Sequence, residues 1–245
     1  MKILIITQYF YPENFRINDL ASKLHGRDHE VTVITGMPNY PTGKIPRGYP
    51  KFSTRRELIN GVEVIRVPLF PRRNSRGLSL SINYLSFCFF ASILSPFLIR
   101  GRDFDVILSA SYSPATANIP AVLLKISKKI PLIVWIQDLW PQSLVATGAI
   151  SSPLILRLVE KMMNWIYKHS DLILVQSEAF KVPILKIFND ASKIRFFPNW
   201  AEDIFQPLPK SNDVKLPQGF NVMFAGNLGS GQSLDVITKS AMILL

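Results

Sequence analysis

The sequence predicts an α/β protein built on a Rossmann-like, doubly wound parallel sheet. Short apolar runs alternate with longer amphipathic segments along most of the chain, which is the pattern of repeated strand–helix units. Several of these runs stop abruptly in polar residues, as buried parallel strands do where a sheet meets a cleft. With 245 residues, of which 48% are hydrophobic, the chain is long enough to bury a large core.

The strands are predicted from apolar, β-branched runs bounded by turn residues. Leu132–Ile136 is apolar throughout, which indicates a strand buried on both faces. Asn60-Gly61 lies between two such runs and predicts a tight hairpin, because this pair readily adopts positive φ. The predicted strands are Lys2–Thr7, Glu30–Thr35, Arg55–Ile59, Val62–Val67, Asp105–Ser109, Leu132–Ile136, Leu172–Val175 and Lys193–Phe197.

The helices are predicted from apolar residues that recur on one face. Residues 17–24 carry this spacing, and Gly26 follows as a plausible stop. Ala115–Lys128 is the second such segment. Ser152-Pro153 opens another helix, since serine suits the N-cap and proline the first turn. A further helix follows Glu178.

Gly77–Ile99 carries no charge and has arginines at both ends. It is long enough to cross a bilayer, but repeated serines, Asn83 and Pro96 make it poor material for a membrane span. A buried core helix and a helix lying in the membrane interface, with its basic flanks on lipid headgroups, both remain open. A transmembrane span is the least favoured interpretation.

Three segments are predicted along the chain. Residues 1–202 form the first Rossmann-like domain, and residues 203–219, rich in proline and polar side chains, form a linker. Phe220–Ala225 predicts a fresh buried strand, and a helix begins at Ser233–Asp235. Residues 220–245 are therefore expected to be the first strand and helix of a second, incomplete Rossmann-like domain.

Positive charge is concentrated in one quarter of the chain. The net charge is +11, and Lys44–Asp103 contributes +8 of it, from eleven basic and three acidic residues. This concentration favours an anionic partner: lipid headgroups, nucleic acid or phosphorylated substrates. The single cysteine, Cys88, excludes an internal disulfide. The expected membrane-binding residues are Arg72, Arg73, Arg76, Arg100 and Arg102.

Polar residues at strand ends are the first candidates for chemistry. Gln137 and Asp138 directly follow Leu132–Ile136, and ligands of open parallel sheets bind beyond such ends. Asp138 either hydrogen-bonds a substrate or caps the following turn while Trp140 packs in the core; both interpretations stay open. The first loop, Gln8–Arg16, contains no glycine, so the fingerprint of a dinucleotide oxidoreductase is missing.

Two further motifs are weak. Asp103-Phe104-Asp105 fits the D-x-D pattern of metal-dependent sugar transfer, but it precedes its strand and so lies at the wrong edge; a structural role is expected. Gly226–Gly231 is a glycine-rich turn before a helix, either an anion site or an ordinary turn. The scattered histidines assemble no metal site or triad in the sequence.

Several segments, in order, resemble the family 4 glycosyltransferases of GT-B fold, and within them the L-fucosamine transferases of bacterial O-antigen and capsule synthesis. These segments are KILIITQYFYPENFRINDLASKL, TGMPNYPTGK, IQDLWPQS, DLILVQSEAF, KIRFFPNWAEDIF and MFAGNLGSGQ. The resemblance implies a retaining, metal-independent transferase with two Rossmann-like domains, the first for the acceptor and the second for a nucleotide-diphosphate sugar. The donor is a co-substrate, and no cofactor is expected.

The resemblance also implies partners and a location. The acceptor is expected to be a saccharide on polyprenyl diphosphate, at the inner face of the cytoplasmic membrane. The protein would therefore be cytoplasmic and peripheral, on an anionic membrane surface, with no nucleic acid partner. Two alternatives stay open: a nucleotide-sugar epimerase of the same architecture, and a non-catalytic domain that binds anionic membranes.

The resemblance carries roles onto individual residues. Asp138 is the expected catalytic residue. Many relatives have paired glycines where this chain has Glu13–Arg16, so Arg16 would replace backbone contacts to the diphosphate by charge. The family's donor site also uses paired glutamates, and this chain has none after Gly226, so it is expected to be inactive alone, either a truncated gene product or a deliberate fragment. Substrate-binding residues would be Glu13, Arg16, Gln137 and Asn199, and donor-diphosphate-binding residues Gly226, Asn227, Gly229 and Gln232.

Overall fold

The computed structural model describes residues 1–73, 77–203, 205–207, 216–226 and 232–244. Within them, eight strands form one sheet in the order β3-β4-β2-β1-β5-β6-β7-β8. Every neighbouring pair is parallel except the β3–β4 hairpin. The strands are β1 (Lys2–Ile6), β2 (Glu30–Gly36), β3 (Arg55–Ile59), β4 (Val62–Val67), β5 (Val106–Ser111), β6 (Leu132–Ile136), β7 (Leu172–Val175) and β8 (Ile194–Phe196).

Helices cover both faces of this sheet, which confirms the predicted doubly wound α/β fold. Helix α1 packs on one face; α2, α3, α5 and α6 contribute to the core of the other. The short α4 was not predicted. The helices are α1 (Arg16–His25), α2 (Gly77–Leu98), α3 (Ile119–Lys128), α4 (Gln142–Ala146), α5 (Pro153–His169), α6 (Lys181–Ile187) and α7 (Leu234–Leu244).

The strands bury alternate side chains in two separate cores. Leu4 and Ile6 of β1 face the core that contains Phe87 of α2, whereas Ile3 and Ile5 face α1. This alternation follows from the two-residue period of a strand. It explains why the central strands are apolar at nearly every position.

Two local predictions are confirmed. Asn60 and Gly61 have φ of 50° and 79°, as the predicted tight hairpin requires. The D-x-D segment lies at the amino edge of the sheet, where the carboxylate of Asp105 accepts a hydrogen bond of 2.7 Å from the backbone N–H of Lys2. It therefore has the structural role that its position predicted.

The end of the first domain is held against the face that carries α1. Trp200 stacks on the buried Trp135 of β6, with ring centroids 5.7 Å apart and planes within 2°. The indole N–H of Trp200 donates to the carboxylate of Asp19 in α1. Residues up to Trp200 thus complete this core.

The prediction of a strand over Phe220–Ala225 is wrong. Residues 216–226 contain no strand, and Phe220 is 97% exposed. A strand needs a neighbour for its backbone hydrogen bonds, and the described residues offer none here. The predicted helix forms as α7, with no buried residue. The boundaries at residues 202 and 219 stay predictions.

Helix α2 buries several polar and small residues while it exposes large apolar ones. Its polar or small residues Asn83, Ser86, Ala91 and Ser95 are buried together with Phe87. Six of its large apolar residues point away from the protein, with exposed fractions between 43% and 76%: Leu78, Ile82, Leu85, Phe89, Ile93 and Phe97. Phe90, Leu94 and Leu98 pack partly buried against the core. By length and composition alone, α2 is also long and apolar enough to cross a membrane.

Candidate active site

The carboxyl ends of the central strands place polar side chains along one edge of the sheet. Parallel pairing aligns Ser111 of β5 with Ile136 of β6, and Ile136 with Val175 of β7. The residues that follow these strands therefore lie side by side. This edge is where open parallel sheets bind ligands.

Asp138 is held at this edge by a short relay of hydrogen bonds. Its Oδ2 accepts from the hydroxyl of Ser113, which follows β5, and that hydroxyl accepts from the indole N–H of Trp140 at 3.0 Å. Trp140 itself is buried in the core. The relay fixes the carboxylate of Asp138, and Oδ1 makes no hydrogen bond within the part of the chain that the structure describes. One oxygen is therefore oriented and available to a ligand.

Tyr84 lies near this carboxylate, and Tyr9 and Arg72 lie near Tyr84. Burial raises the pKa of Tyr84, the neighbouring Asp138 carboxylate adds to the rise, and Arg72 opposes it. Burial, aided by Tyr84, raises the pKa of Tyr9 as well. Both phenols therefore stay protonated and can donate hydrogen bonds at neutral pH. The guanidinium of Arg72 lies 5.1 Å from the ring centroid of Tyr40.

A buried amide network supports these groups from α2. Asn83 donates to the carbonyl of Phe70 at 2.7 Å and to Asn39 Oδ1 at 3.2 Å, and it accepts from Gln8 Nε2 at 2.8 Å. Asn39 Oδ1 also accepts from the backbone N–H of Arg72 at 3.2 Å. The network fixes the loops after β1, β2 and β4 relative to α2, and so positions Arg72.

Glu13 has a structural role next to this network. Its Oε1 accepts from the backbone N–H groups of Asn39 at 2.7 Å and Tyr40 at 2.6 Å, and only 5% of the residue is exposed. Burial raises its pKa to about 7, although those two backbone hydrogen bonds lower it. In this arrangement Glu13 orders the loop after β2, while its predicted contact with substrate stays a prediction.

A second polar cluster joins the ends of β6, β7 and β8. The side-chain N–H₂ of Asn199 donates to Gln137 Oε1 at 2.9 Å and to Gln176 Oε1. Gln176 Nε2 donates to the backbone carbonyl of Gln137 at 2.8 Å. Gln137 Nε2 is buried and finds no acceptor among the described residues. The structure thus brings Gln137 and Asn199 together at this edge of the sheet.

The predicted cationic residues separate into different places. Arg16 forms an ion pair with Glu202 at 2.5 Å, and Arg72 faces the candidate site. Arg102 pairs with Glu63 at 2.7 Å at the amino edge of the sheet. Arg73 and Arg100 are exposed at the two ends of α2. The membrane contacts predicted for Arg72 and Arg102 would compete with these interactions and stay predictions.

The predicted diphosphate-binding residues are not brought to this edge in the described part of the chain. Gly226 and Gln232 are exposed, and no hydrogen bond among the described residues links either of them to the cleft. Asn227 and Gly229, and Arg76 of the membrane-binding set, lie outside the described residues. The described residues also contain no cluster of three His, Cys, Asp or Glu side chains that would hold a metal ion.

Sequence reasoning missed Ser113, Tyr84 and Gln176 as members of the site. Ser113 and Gln176 follow predicted strands, so the rule that found Asp138 would have found them. Tyr84 lies inside the apolar segment, where the adjacent Asn83 was the visible sign of an inward polar face. Arg72 was predicted to bind the membrane because the sequence shows its charge but not its position in the fold.

The known proteins that this chain resembles are glycosyltransferases or glycosyltransferase domains. A family model described as a glycosyl transferase 4-like domain matches residues 14–200. The chain is 27% identical over 188 residues to the probable glycosyltransferase WbjE of Pseudomonas aeruginosa, covering 71% of this chain and 45% of that protein. It is 24% identical over 257 residues to the putative colanic acid biosynthesis glycosyl transferase WcaI of Escherichia coli strain K12, covering 98% and 62%.

Among solved structures, the sucrose-phosphate synthase from Thermosynechococcus elongatus superposes with a TM-score of 0.54 at 12% identity. The match covers 80% of this chain and 47% of the synthase, and at this identity it shows the fold alone. The chain spans about half the length of the curated relatives it matches.

Proposed function

The chain belongs to the family of glycosyl transferase 4-like domains, and on that premise we propose that it is the acceptor-binding part of a bacterial polysaccharide glycosyltransferase. The reaction moves a sugar from a nucleotide-diphosphate donor to a saccharide carried on polyprenyl diphosphate. The names of two relatives, a probable glycosyltransferase and a putative colanic acid biosynthesis enzyme, support this class. N-acetyl-L-fucosamine is the proposed sugar, on the resemblance of the sequence alone.

The observation that carries the proposal is the fixed carboxylate of Asp138 at the carboxyl edge. Ser113 and Trp140 hold one of its oxygens, so the other has a defined direction in which to accept from a sugar hydroxyl. A hydroxyl that donates to Asp138 is oriented for attack, which lowers the entropic part of the barrier. Tyr84 lies beside Asp138 as a protonated donor for the same sugar.

Arg72 supplies the positive charge that a diphosphate requires. Its Nε is buried and meets no hydrogen-bond acceptor among the described residues, and its guanidinium lies over the ring of Tyr40. Arginine binds phosphate through paired N–H donors. We therefore assign Arg72 to a phosphate of the bound substrates.

Retention of the anomeric configuration and independence of metal are proposed on the family resemblance. The protein would be cytoplasmic and peripheral, with α2 parallel to the inner face of the membrane. Two features support this location: the outward apolar face of α2, and the exposed Arg73 and Arg100 at its ends.

A transfer assay tests the proposal. Because the chain spans about half the length of its relatives, we would fuse it to the part of WcaI that it does not match. Incubation with nucleotide sugars and polyprenyl-linked saccharides, followed by mass spectrometry, should show an acceptor heavier by one sugar. A folded fusion that binds donor but releases only free or epimerised sugar would contradict transfer and favour an epimerase.

A further inference from the structure

A groove of about 730 Å³ lies apart from the candidate active site. Ile45, Phe52 and Phe70 give it apolar walls, and Lys44, Lys51 and Arg73 line it with positive charge. A second groove, of about 580 Å³, shares Phe70 and Arg73 with the first and continues to Leu78 and Ile82 of α2. The two form one path, referred to below as the α2 groove.

The two walls of the α2 groove are fastened together at Gly43. Its carbonyl accepts from the backbone N–H of Arg73 at 3.1 Å, and its own N–H donates to the carbonyl of Asn39 at 2.7 Å. With φ of +72°, Gly43 has a conformation that suits glycine, and a methyl group there would lie 2.1 Å from the Arg73 carbonyl oxygen. The backbone at Gly43 therefore holds the two walls of the groove in place.

Two consecutive arginines connect this groove to the candidate active site. Arg72 faces Tyr84 near Asp138, and Arg73 lines the α2 groove. A ligand with a charged group at this point can therefore extend in two directions. One leads to the sugar-binding edge, and the other leads along Leu78 and Ile82 to the outward apolar face of α2.

The charge of this surface is one-sided. Between Glu30 and Asp103 the sequence has only two acidic residues, Glu57 and Glu63. Both are neutralised in ion pairs, Glu57 with Arg66 at 2.5 Å and Glu63 with Arg102 at 2.7 Å. The lining of the α2 groove contains no acid among the described residues. Its cations are therefore available to an anionic ligand.

The apolar part of the groove is also unusual for a surface facing water. Phe52 is 71% exposed and Phe70 is 44% exposed, and their rings form an edge-to-face pair with centroids 6.1 Å apart. Exposed aromatic surface of this kind, adjoining the outward side chains of α2, is typical of a binding surface.

We propose that the α2 groove binds a phosphorylated isoprenoid lipid, with the phosphate on Arg73, Lys44 and Lys51 and the first isoprene units against Phe52 and Phe70. The inference rests on the proposed function, since it names where the lipid part of the acceptor lies. Phosphate oxygens match the cations, and the branched hydrocarbon covers aromatic surface that is otherwise in water. The rest of the lipid then runs along the outward apolar face of α2 to the bilayer, and the saccharide reaches Asp138.

Calorimetry on the 245-residue chain tests this assignment, with geranylgeranyl diphosphate below its micelle concentration as the probe. Inorganic pyrophosphate and geranylgeraniol represent its two halves. Phe52→Ser and Arg73→Gln should each weaken binding of the probe about tenfold, because each removes one half of the recognition. Phe97→Ser is the matched control: it is equally exposed, at 71%, and lies near the opposite end of α2.

We expect the probe to bind more tightly than either half and the Phe97→Ser variant to bind it normally. Equal binding of pyrophosphate or geranylgeraniol alone would overturn the proposal, as would an equal loss in Phe97→Ser or unchanged affinity in folded Phe52→Ser and Arg73→Gln. The two proposals fail separately. Sugar transfer without binding of the probe would overturn only the proposal for the α2 groove. Binding of the probe without sugar transfer would overturn the proposed glycosyltransferase activity.

Discussion

Asn83→Ala provides a stringent test of how α2 is oriented. Asn83 is fully buried and makes three hydrogen bonds, to Phe70, Asn39 and Gln8. Its removal leaves the Gln8 side-chain donor and the Phe70 carbonyl without these partners in the protein interior. Each buried polar group left unsatisfied costs about 1–3 kcal/mol, so the two together predict a loss of roughly 2–6 kcal/mol.

That loss is large beside the total stability of a typical domain, about 5–15 kcal/mol. Urea unfolding followed by far-ultraviolet circular dichroism measures it. Leu85→Ala is the control, since Leu85 is 59% exposed on the opposite face of the same helix and should change stability by less than about 0.5 kcal/mol. If Leu85→Ala destabilised the protein more than Asn83→Ala, α2 would have its apolar face inward and the reasoning would be refuted.

Two further predictions concern pH and membranes. The pKa of Glu13 is about 7 in the folded state, against an ordinary value of 4.5. Between these pH values the folded state holds a proton that the unfolded chain has released. The free energy of unfolding should therefore fall as the pH rises through this range, by on the order of 3 kcal/mol. Glu13→Gln should flatten this slope in urea titrations at pH 5 and pH 8, whereas the exposed Glu178→Gln should not; an unchanged slope in Glu13→Gln would contradict the assignment. Replacing Arg73 and Arg100 by Gln should weaken sedimentation with anionic vesicles, each charge contributing about 1 kcal/mol, and raised salt should have the same effect. Binding indifferent to salt and lipid charge would contradict a peripheral electrostatic contact.

The sheet could be predicted because its signals are local. The run Leu132–Ile136 and the Asn60-Gly61 turn each specify their structure within a few residues, and both are present as predicted. The strand expected over Phe220–Ala225 had the same apolar signal. It failed because strand formation also needs a neighbouring strand, which a single segment does not reveal.

The orientation of α2 was beyond the sequence for a different reason. Its residues are almost all apolar or small and polar, so no charged face marks the side toward water. Only the packing shows that Asn83 points inward and Leu85 outward. The position of Arg72 could not be predicted for the same reason, because the direction of its side chain depends on how α2 and the preceding loop pack.

The candidate site was predictable where strand order alone decides it. Asp138 was found because it follows a central strand, and the sheet places it at the expected edge. Its partner Ser113 follows a different strand, 25 residues earlier, and their hydrogen bond depends on β5 and β6 being neighbours. Residue pairs of this kind become visible only with the topology.

The most direct test of the central claim, that sugar transfer occurs at the carboxyl edge around Asp138, is the turnover of Asp138→Asn in the fusion that transfers sugar. The variant keeps the size of the side chain but removes its charge, so turnover should fall on the order of 100-fold while urea stability stays nearly unchanged. Asp103→Asn, an exposed aspartate before β5, is the matched control and should keep full turnover. Turnover of Asp138→Asn within about twofold of the parent, a difference of only about 0.4 kcal/mol, would place the reaction elsewhere.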